Sequence, residues 1–147
     1  MKTLVLFDSM YGHTEKIARA MAAALAGEVV IKRVSEATSA DLDKIDWFII
    51  GSPTQGGRPL KTTQAFIDSL SEISLKGVKI AVFDTRIPAK WVTVFGFAAG
   101  KIVGALKKKG ATIAVKEEGF IVKAAKGPLL DGQLERAAEW AKKLQQS

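Results

Sequence analysis

Residues 3–14 read TLVLFDSMYGHT, an apolar run followed by a short polar loop. Continuous aliphatic and β-branched residues are typical of a strand buried on both faces, so a strand is predicted at Thr3–Phe7. A helix is predicted directly after the loop, at Thr14–Ala26, because its apolar residues recur every four positions and Gly27 follows as a terminator. A strand, a short loop and a helix in this order begin an α/β fold.

The same alternation of strand and helix continues along the chain. Further apolar, β-branched runs predict strands at Val29–Val34, Trp47–Ile50, Val78–Phe83 and Thr112–Val115, the last resuming at Phe120–Val122. Apolar stripes at helical spacing predict helices at Thr62–Leu70, Gly100–Lys109 and Leu134–Leu144, the last with Asp131 as its N-cap. The connection at residues 35–46 is short and polar and is a poor helix candidate. About five alternations without a linker or repeat predict one doubly wound α/β domain over residues 1–147.

Composition removes much chemistry from consideration. The 147 residues include no Cys and one His, which excludes disulfides, thiol catalysis, thiolate-held metal or iron–sulfur sites and multi-histidine metal centres. Any catalytic triad built on histidine would have to use His13.

No cleavable leader pattern follows Met1, and no apolar run reaches the roughly 20 residues of a spanning helix, so a soluble, cytoplasmic protein is expected.

The formal net charge is +7, and the excess of bases lies after residue 50. Residues 1–50 carry six bases and seven acids, whereas residues 101–147 carry ten bases and five acids. A basic half can attract an acidic protein, an anionic membrane or nucleic acid. The densest cluster, Lys107–Lys109, lies at a predicted helix end, where cations favour the helix dipole, so a nucleic-acid partner is not predicted.

Parallel strands end at one rim of their sheet, where the loops after them can bind a ligand. The first loop, residues 8–14, offers hydroxyls from Ser9, Tyr11 and Thr14 and a flexible Gly12 at a helix N-terminus. Free backbone N–H groups and the helix dipole suit a phosphate at such a place. Thr14 followed by Glu15 also suits plain helix capping, so the residues alone leave both interpretations open.

Two familiar phosphate loops and one related fold are excluded. The chain has neither G-x-x-x-x-G-K-[ST] nor G-x-G-x-x-G after its first strand, which excludes P-loop nucleotide hydrolases and dinucleotide-binding folds. A response-regulator receiver domain needs an acidic residue after its third strand, where this chain has Gly51.

The second loop, residues 51–59, places two glycines between two prolines, and the third loop contains Trp91, whose indole can stack on a planar ring.

These loops resemble those of the flavodoxin family, and the resemblance covers nearly the whole chain. Ser9-Met10-Tyr11-Gly12-His13-Thr14 resembles the family's phosphate loop, S/T-x-T-G-x-T, with Tyr11 where Thr is more common. Gly51-Ser52-Pro53-Thr54 resembles the second loop, whose backbone contacts the flavin ring in the family. The resemblance implies a five-stranded parallel sheet in the order 2-1-3-4-5 with helices on both faces. It also implies a non-covalently bound FMN that transfers electrons.

The resemblance further implies which residues bind FMN. The phosphate would bind the first loop and the ring would lie between the second and third loops. The residues concerned are Ser9, Met10, Tyr11, Gly12, His13, Thr14, Pro53, Thr54, Gln55, Gly56, Gly57, Asp84, Thr85, Arg86 and Trp91. No catalytic residue and no metal site is predicted. This chain departs from the family in having no aromatic residue at positions 54–57 and in being basic where flavodoxins are typically acidic.

The positive charge leads to two further expectations. Arg58, Arg86 and Lys90 lie in the predicted ring loops, so FMN is expected to be reduced to the hydroquinone more easily than in an acidic flavodoxin. The redox partner protein is expected to carry an acidic docking surface and to bind more weakly as salt rises.

Three alternatives stay open from the sequence. The first is a small FMN-dependent oxidoreductase that acts on a quinone or a protoporphyrinogen-type substrate. The second is a flavin-free binding protein with the same fold. The third is contact with a membrane surface through the apolar stretch Trp91–Phe97 and the lysines that follow it.

Overall fold

The computed structural model describes residues 1–88 and 96–146. The described strands are β1 (Lys2–Phe7), β2 (Glu28–Arg33), β3 (Trp47–Pro53), β4 (Lys79–Arg86), β5 (Thr112–Ile113) and β6 (Glu118–Ile121). The described helices are α1 (His13–Ala24), α2 (Lys61–Asp68), α3 (Glu72–Leu75), α4 (Ala98–Lys108) and α5 (Gln133–Gln145). The connection at residues 35–46 contains only 3₁₀ turns, at Val34–Glu36 and Ser39–Leu42, which agrees with its weak helical pattern.

The strands form one parallel sheet in the order β2-β1-β3-β4-β5, with β6 also paired to β4. β5 pairs with the beginning of β4, and β6 pairs with its end. The predicted order 2-1-3-4-5 is therefore confirmed, and two short segments share the fifth strand position. The interruption spans residues 114–117 and includes Lys116, which is exposed, and Glu117, which is half-buried. Charged side chains of this kind are well solvated at the edge of a sheet.

Helices cover both faces of the sheet, which explains the unbroken apolar runs of the sequence. Along β1, Leu4 and Leu6 pack on one face with α2 and α4, while Val5 and Phe7 pack on the other with α1 and α5. Successive residues of a strand point to opposite faces, so a strand between two helical layers needs apolar residues at every position. Gly51 at the end of β3 serves the same packing, because a Cβ there would overlap the Phe83 ring.

Two helix starts differ from the predictions. The predicted N-cap Asp131 is wrong, because α5 begins after Gly132, a residue with φ of 82° and no side-chain cap. Capping of α1 by Thr14 is also wrong, because α1 begins after Gly12 and the Thr14 side chain is buried within the first turn. In both places a glycine with positive φ turns the chain into the helix, and a neighbouring polar side chain is free for other contacts.

The lysine run lies at the C-terminal end of α4, as predicted. Lys107 and Lys108 occupy the last turn of this helix. The Lys109 ammonium donates to the carbonyl oxygens of Asp68 (3.0 Å), the last residue of α2, and Leu70 (2.7 Å), which follows this helix. Cations at helix C-terminal ends stabilise the carbonyls that have no intrahelical partner.

A membrane-crossing helix is not found in the part of the chain that the structure describes, since no helix there is both long and apolar enough. Most of the apolar stretch Trp91–Phe97, considered above for surface contact with a membrane, lies outside the described residues.

Candidate functional site

The loops after β1, β3 and β4 surround a cavity of about 360 Å³ at the C-terminal rim of the sheet. Eleven of the residues predicted from the sequence line this cavity: Ser9, Met10, Tyr11, His13, Thr14, Pro53, Thr54, Gln55, Gly56, Thr85 and Arg86. The right-handed α/β connections place these three loops on one rim although they are far apart in the sequence. Residues from three separate loops therefore meet at one cavity.

The first loop turns sharply into α1 at Gly12. The φ of Gly12 is 90°, a value that L side chains rarely adopt, and its N–H donates to the Ser9 hydroxyl oxygen over 2.9 Å. The first backbone bond of the helix runs from Lys16 N–H to the Gly12 carbonyl (3.1 Å), so the N–H groups of the first turn before Lys16 have no intrahelical acceptor. Those donors and the positive end of the helix dipole suit an anion.

His13 begins α1 and contributes a polar atom without a partner. Its Nε2 lies 2.8 Å from the Lys126 carbonyl oxygen. A carbonyl only accepts, so Nε2 carries the hydrogen and donates. Its Nδ1 is buried and has no hydrogen-bond partner among the described residues. The Gly127 backbone packs against the imidazole so closely that a Cβ at that position would overlap the ring.

Thr85, on β4, connects all three loops at the base of the cavity. Its hydroxyl lies 2.9 Å from the Thr14 hydroxyl, and both side chains are buried. Its carbonyl oxygen accepts from Thr54 N–H over 2.9 Å. The first turn of α1 and the second loop are thus attached to the same residue at the base of the cavity.

The second loop is a two-residue hairpin turn. Gln55 and Arg58 exchange backbone hydrogen bonds of 2.8 and 3.0 Å across Gly56 and Gly57, whose φ values are 56° and 78°. Positive φ at both central positions defines a type I′ turn, which explains the pair of glycines. The Gln55 amide nitrogen lies 2.9 Å from the Met10 sulfur, so the first and second loops touch at the mouth of the cavity.

The two ends of the third loop are held by contacts of Asp84 and Arg86. Arg86 donates from Nε and a terminal nitrogen to the two carboxylate oxygens of Asp84, each over 2.8 Å. Asp84 is fully buried and also accepts from Ala99 N–H, in the first turn of α4, over 3.0 Å. The Arg86 guanidinium lies 3.6 Å from the centre of the Phe97 ring. Burial raises the pKa of Asp84 above its ordinary value, although the hydrogen bonds and charge of Arg86 oppose this shift.

Three predicted residues do not line the cavity, and one lies outside the described residues. Gly12 and Gly57 shape the two turns, while the Asp84 carboxylate points to Arg86 and Ala99. Asp84, which the resemblance predicts to bind FMN, does not line the cavity, and its contact with FMN stays a prediction. Trp91, like Lys90, is outside the described residues. Arg86 borders the cavity, but its charge is paired with that of Asp84.

The structure adds a wall that the sequence analysis missed. Ile87 continues the third loop, and Val122 and Ala125 come from the segment after β6. The dipeptide Gly127–Pro128 is a turn signal that marks this segment as a loop. Sequence reasoning had no means of placing it against His13, because the two are more than 100 positions apart and meet through the Lys126 carbonyl.

The site joins a cluster of anion-binding donors to a partly apolar cleft. The N-terminus of α1 lies at one end, and Met10, Pro53, Ile87, Val122 and Ala125 supply apolar surface around the rest. Both Met10 and Tyr11 are 47% exposed, so the mouth of the cleft is open to solvent. Such a site suits a ligand that has a phosphate at one end and a flat, partly apolar ring at the other, with one edge of the ring accessible.

Comparison with known proteins agrees with this geometry. The profile of the flavodoxin family matches residues 5–140, and the chain belongs to this family. The solved structure of oxidised Flavodoxin 2 from Bacillus cereus is similar over 99% of both chains, with a TM-score of 0.84 and 26% identity. Flavodoxin 1 from the same organism is similar over 99% of this chain and 98% of its own, with a TM-score of 0.81 and 22% identity.

Curated sequences give a second group of relatives. An NAD(P)H dehydrogenase (quinone) from Azorhizobium caulinodans is 36% identical over a region that covers 52% of this chain and 50% of that protein. This chain spans about half the length of the curated relatives it matches. Family and fold support the FMN-binding electron-transfer function that the loops predicted, and flavodoxins transfer electrons to redox partners.

Proposed function

We propose that this protein binds FMN non-covalently at the rim cavity and carries electrons between redox partners. The observation that supports this most directly is the meeting of three loops around one cleft with the N-terminus of α1 at its end. FMN, when bound, supplies a centre that accepts and gives one or two electrons. The protein's own residues hold the cofactor, keep it in one orientation and leave an edge open to a partner.

The phosphate is assigned to the first loop. The first-turn N–H groups of α1 donate to it, together with the hydroxyls of Ser9 and Tyr11, which line the cavity. His13 holds the start of α1 through the hydrogen bond from its Nε2 to the Lys126 carbonyl oxygen, while its Nδ1, an acceptor in this tautomer, is not assigned to the phosphate. The buried Thr14 hydroxyl has its partner in Thr85, so Thr14 acts through its backbone N–H and by holding the loop to β4.

The ring is assigned to the cleft between the second loop and the beginning of the third. Thr54, Gln55 and Gly56 lie on one side, and Thr85 to Ile87 lie on the other. Because Asp84 offsets the charge of Arg86, the expected ease of reduction to the hydroquinone depends on the remaining cations, of which Arg58 is exposed. That expectation stays a prediction, and a redox titration of the bound cofactor tests it.

The first experiment is an absorption spectrum of the purified protein, followed by titration of the apoprotein with FMN and with riboflavin. FMN is expected to bind at least about 100-fold more tightly, because two charge-assisted hydrogen bonds at about 1.5 kcal/mol each already give this ratio. Ser9→Ala is expected to weaken the binding of FMN and to leave the binding of riboflavin unchanged. Ser69→Ala, at the residue after α2, is the control. Equal affinity for FMN and riboflavin would contradict the phosphate assignment and favour the flavin-free alternative.

The partner is proposed to be a redox protein with an acidic docking surface in the cytoplasm. The net charge of +7 supports this proposal, because opposite charges steer two proteins together and raise the rate of association. Electron transfer is therefore expected to slow as ionic strength rises. Transfer that does not change with salt would argue against an acidic partner.

A second candidate function is supported by the curated relatives named NAD(P)H dehydrogenase (quinone). In that case the protein would oxidise a reduced nicotinamide cofactor and reduce a quinone at the FMN site. Steady oxidation of NADPH or NADH by a benzoquinone, with no other protein present, would favour this enzyme. Electron exchange that needs a second protein favours the carrier.

A further inference from the structure

A second, larger depression lies beside the cofactor cavity. This groove has a volume of about 1090 Å³ and runs between α2 and α4, with the loop at residues 58–60 at one end. Met10 and Gln55 line both the groove and the cofactor cavity. The groove therefore begins at the mouth of the cleft where an edge of the cofactor would be accessible.

The charged residues of the groove are nearly all basic. Five cations and one carboxylate line it: Arg58, Lys61, Lys101, Lys108, Lys109 and Asp68. The first four cations are exposed, and none of them has an ion-pair partner within residues 1–88 and 96–146. By contrast, Arg19 and Arg33 on the opposite face of the sheet both pair with Glu15. The groove thus concentrates unneutralised positive charge.

The walls leave room for a chain segment. Residues 101, 104, 105 and 108 lie on one face of α4, because they are three, four and seven positions apart. Three small residues, Gly100, Gly104 and Ala105, form its floor, and a Cβ added at either glycine would meet nothing within 4 Å. Lys101 and Lys108 are two helical turns apart, about 10 Å along the axis.

We propose that this groove docks an acidic segment of the redox partner protein, with carboxylates that pair with the cations on both walls. The proposal rests on the proposed electron-carrier function and specifies where the partner binds. Docking here would place the partner against Met10 and Gln55, at the mouth of the cofactor cleft. A single-stranded nucleic acid is disfavoured, because no aromatic side chain for base stacking lines the described groove.

The test uses the FMN-loaded protein and a fluorescein-labelled oligoglutamate peptide, with binding followed by anisotropy at low salt. The double variant Lys61→Glu, Lys108→Glu reverses one cation on each wall. The control Lys76→Glu, Lys116→Glu changes the net charge equally at two exposed lysines outside the groove. The groove variant is expected to weaken binding about tenfold or more, and the control by less than about threefold, because the attraction is local and screened by salt.

A charge-neutral variant separates shape from charge. Gly104→Leu puts a side chain onto the open floor of the groove and is compatible with a helix, so it is expected to weaken binding of the peptide without loss of folding. Equal weakening by the two charge variants, no effect of Gly104→Leu, or tighter binding of oligothymidylate than of oligoglutamate would each overturn the proposal.

FMN affinity is measured for every variant, so that the two proposals fail separately. The variants are expected to bind FMN like the unchanged protein, because none of the substituted residues lines the cofactor cavity. A protein that binds no FMN overturns the proposed function. A protein that binds FMN but gives any of the three contrary peptide results overturns only the docking groove.

Discussion

The first loop and the third loop both border the cavity at the rim of the sheet, but they are held in different ways. The turn of the first loop is set by short-range contacts, in which Gly12 N–H donates to Ser9 and Ser9 N–H donates to Asp8, and contacts of His13 and Thr14 with distant residues then attach the loop to the rest of the chain. The ends of the third loop, residues 84–88 and 96–99, are held through Asp84, Arg86 and Phe97. The turn of the first loop can therefore be recognised as a motif, whereas the far end of the third loop is positioned only by the contacts of Asp84 with Ala99 and of Arg86 with Phe97.

The largest expected effect is in the third loop. Asp84→Ala leaves the partly buried Arg86 guanidinium and Ala99 N–H without their acceptor, and is expected to lower the free energy of unfolding by about 3 kcal/mol or more. Chemical denaturation of the apoprotein measures this change. Asp131→Asn, at an exposed carboxyl that caps no helix, is the control and is expected to cost less than about 0.5 kcal/mol. A similar small cost for both would show that the ion pair does not hold the loop.

The contact between the two loops is expected to be next in size. Thr14→Val or Thr85→Val alone leaves one buried hydroxyl without a partner, at a cost of about 1–3 kcal/mol. The double variant removes both hydroxyls and keeps their volumes, so its cost is expected to be smaller than the sum of the single costs. A double-mutant cycle of unfolding free energies measures this coupling. Strict additivity would mean that the hydroxyls do not interact.

A change inside the first loop is expected to cost less. Gly12→Ala places a side chain at φ of 90° and is expected to lower stability by about 1–2 kcal/mol through backbone strain alone, because nothing lies within 4 Å of the new Cβ. FMN affinity is expected to fall as well, since the helix N-terminus shifts. Gly100→Ala, at an open helical position, is the control and is expected to be neutral or stabilising. An unchanged FMN affinity in Gly12→Ala would argue against the phosphate site.

The smallest expected effect is a dependence of stability on pH. The pKa of Asp84 is raised by burial, so the folded protein holds a proton that the unfolded chain has already lost above its ordinary pKa of 3.8. Stability due to this group is therefore greatest below pH 3.8 and falls as pH rises through the folded-state pKa.

A second carboxyl provides the opposite sign. The pKa of Asp41 is lowered, chiefly by its hydrogen bond with Lys32, so its contribution is present above 3.8 and is lost as pH falls through its folded-state pKa. Unfolding free energies are measured from pH values below 3.8 up to neutral pH for Asp84→Asn, Asp41→Asn and the unchanged protein. Each variant is expected to lose its own component of the pH dependence. Identical pH profiles would contradict both assignments.

Much of the fold could be predicted from the sequence because its signals are local. Unbroken apolar runs such as Thr3–Phe7 predicted strands covered on both faces, and the structure places helices on both. The division of the fifth strand position was indicated by two separate runs, at Thr112–Val115 and Phe120–Val122. Helix starts were less predictable, since Gly12 and Gly132 began helices where Thr14 and Asp131 offered familiar capping residues.

The loop motif and the strand pattern were enough to identify the family and the rim where the cavity lies, because turn chemistry and periodicity depend on residues close together in the chain. The far wall of the cavity at Val122 and Ala125 became visible only in the tertiary structure. The pairing of Asp84 with Arg86 had a sequence signal, because alternate residues of a strand share a face, but its burial had none. The cationic groove likewise needs α2 and α4 side by side. Charge neutralisation and cavity shape are set by distances in space, which this single sequence does not contain.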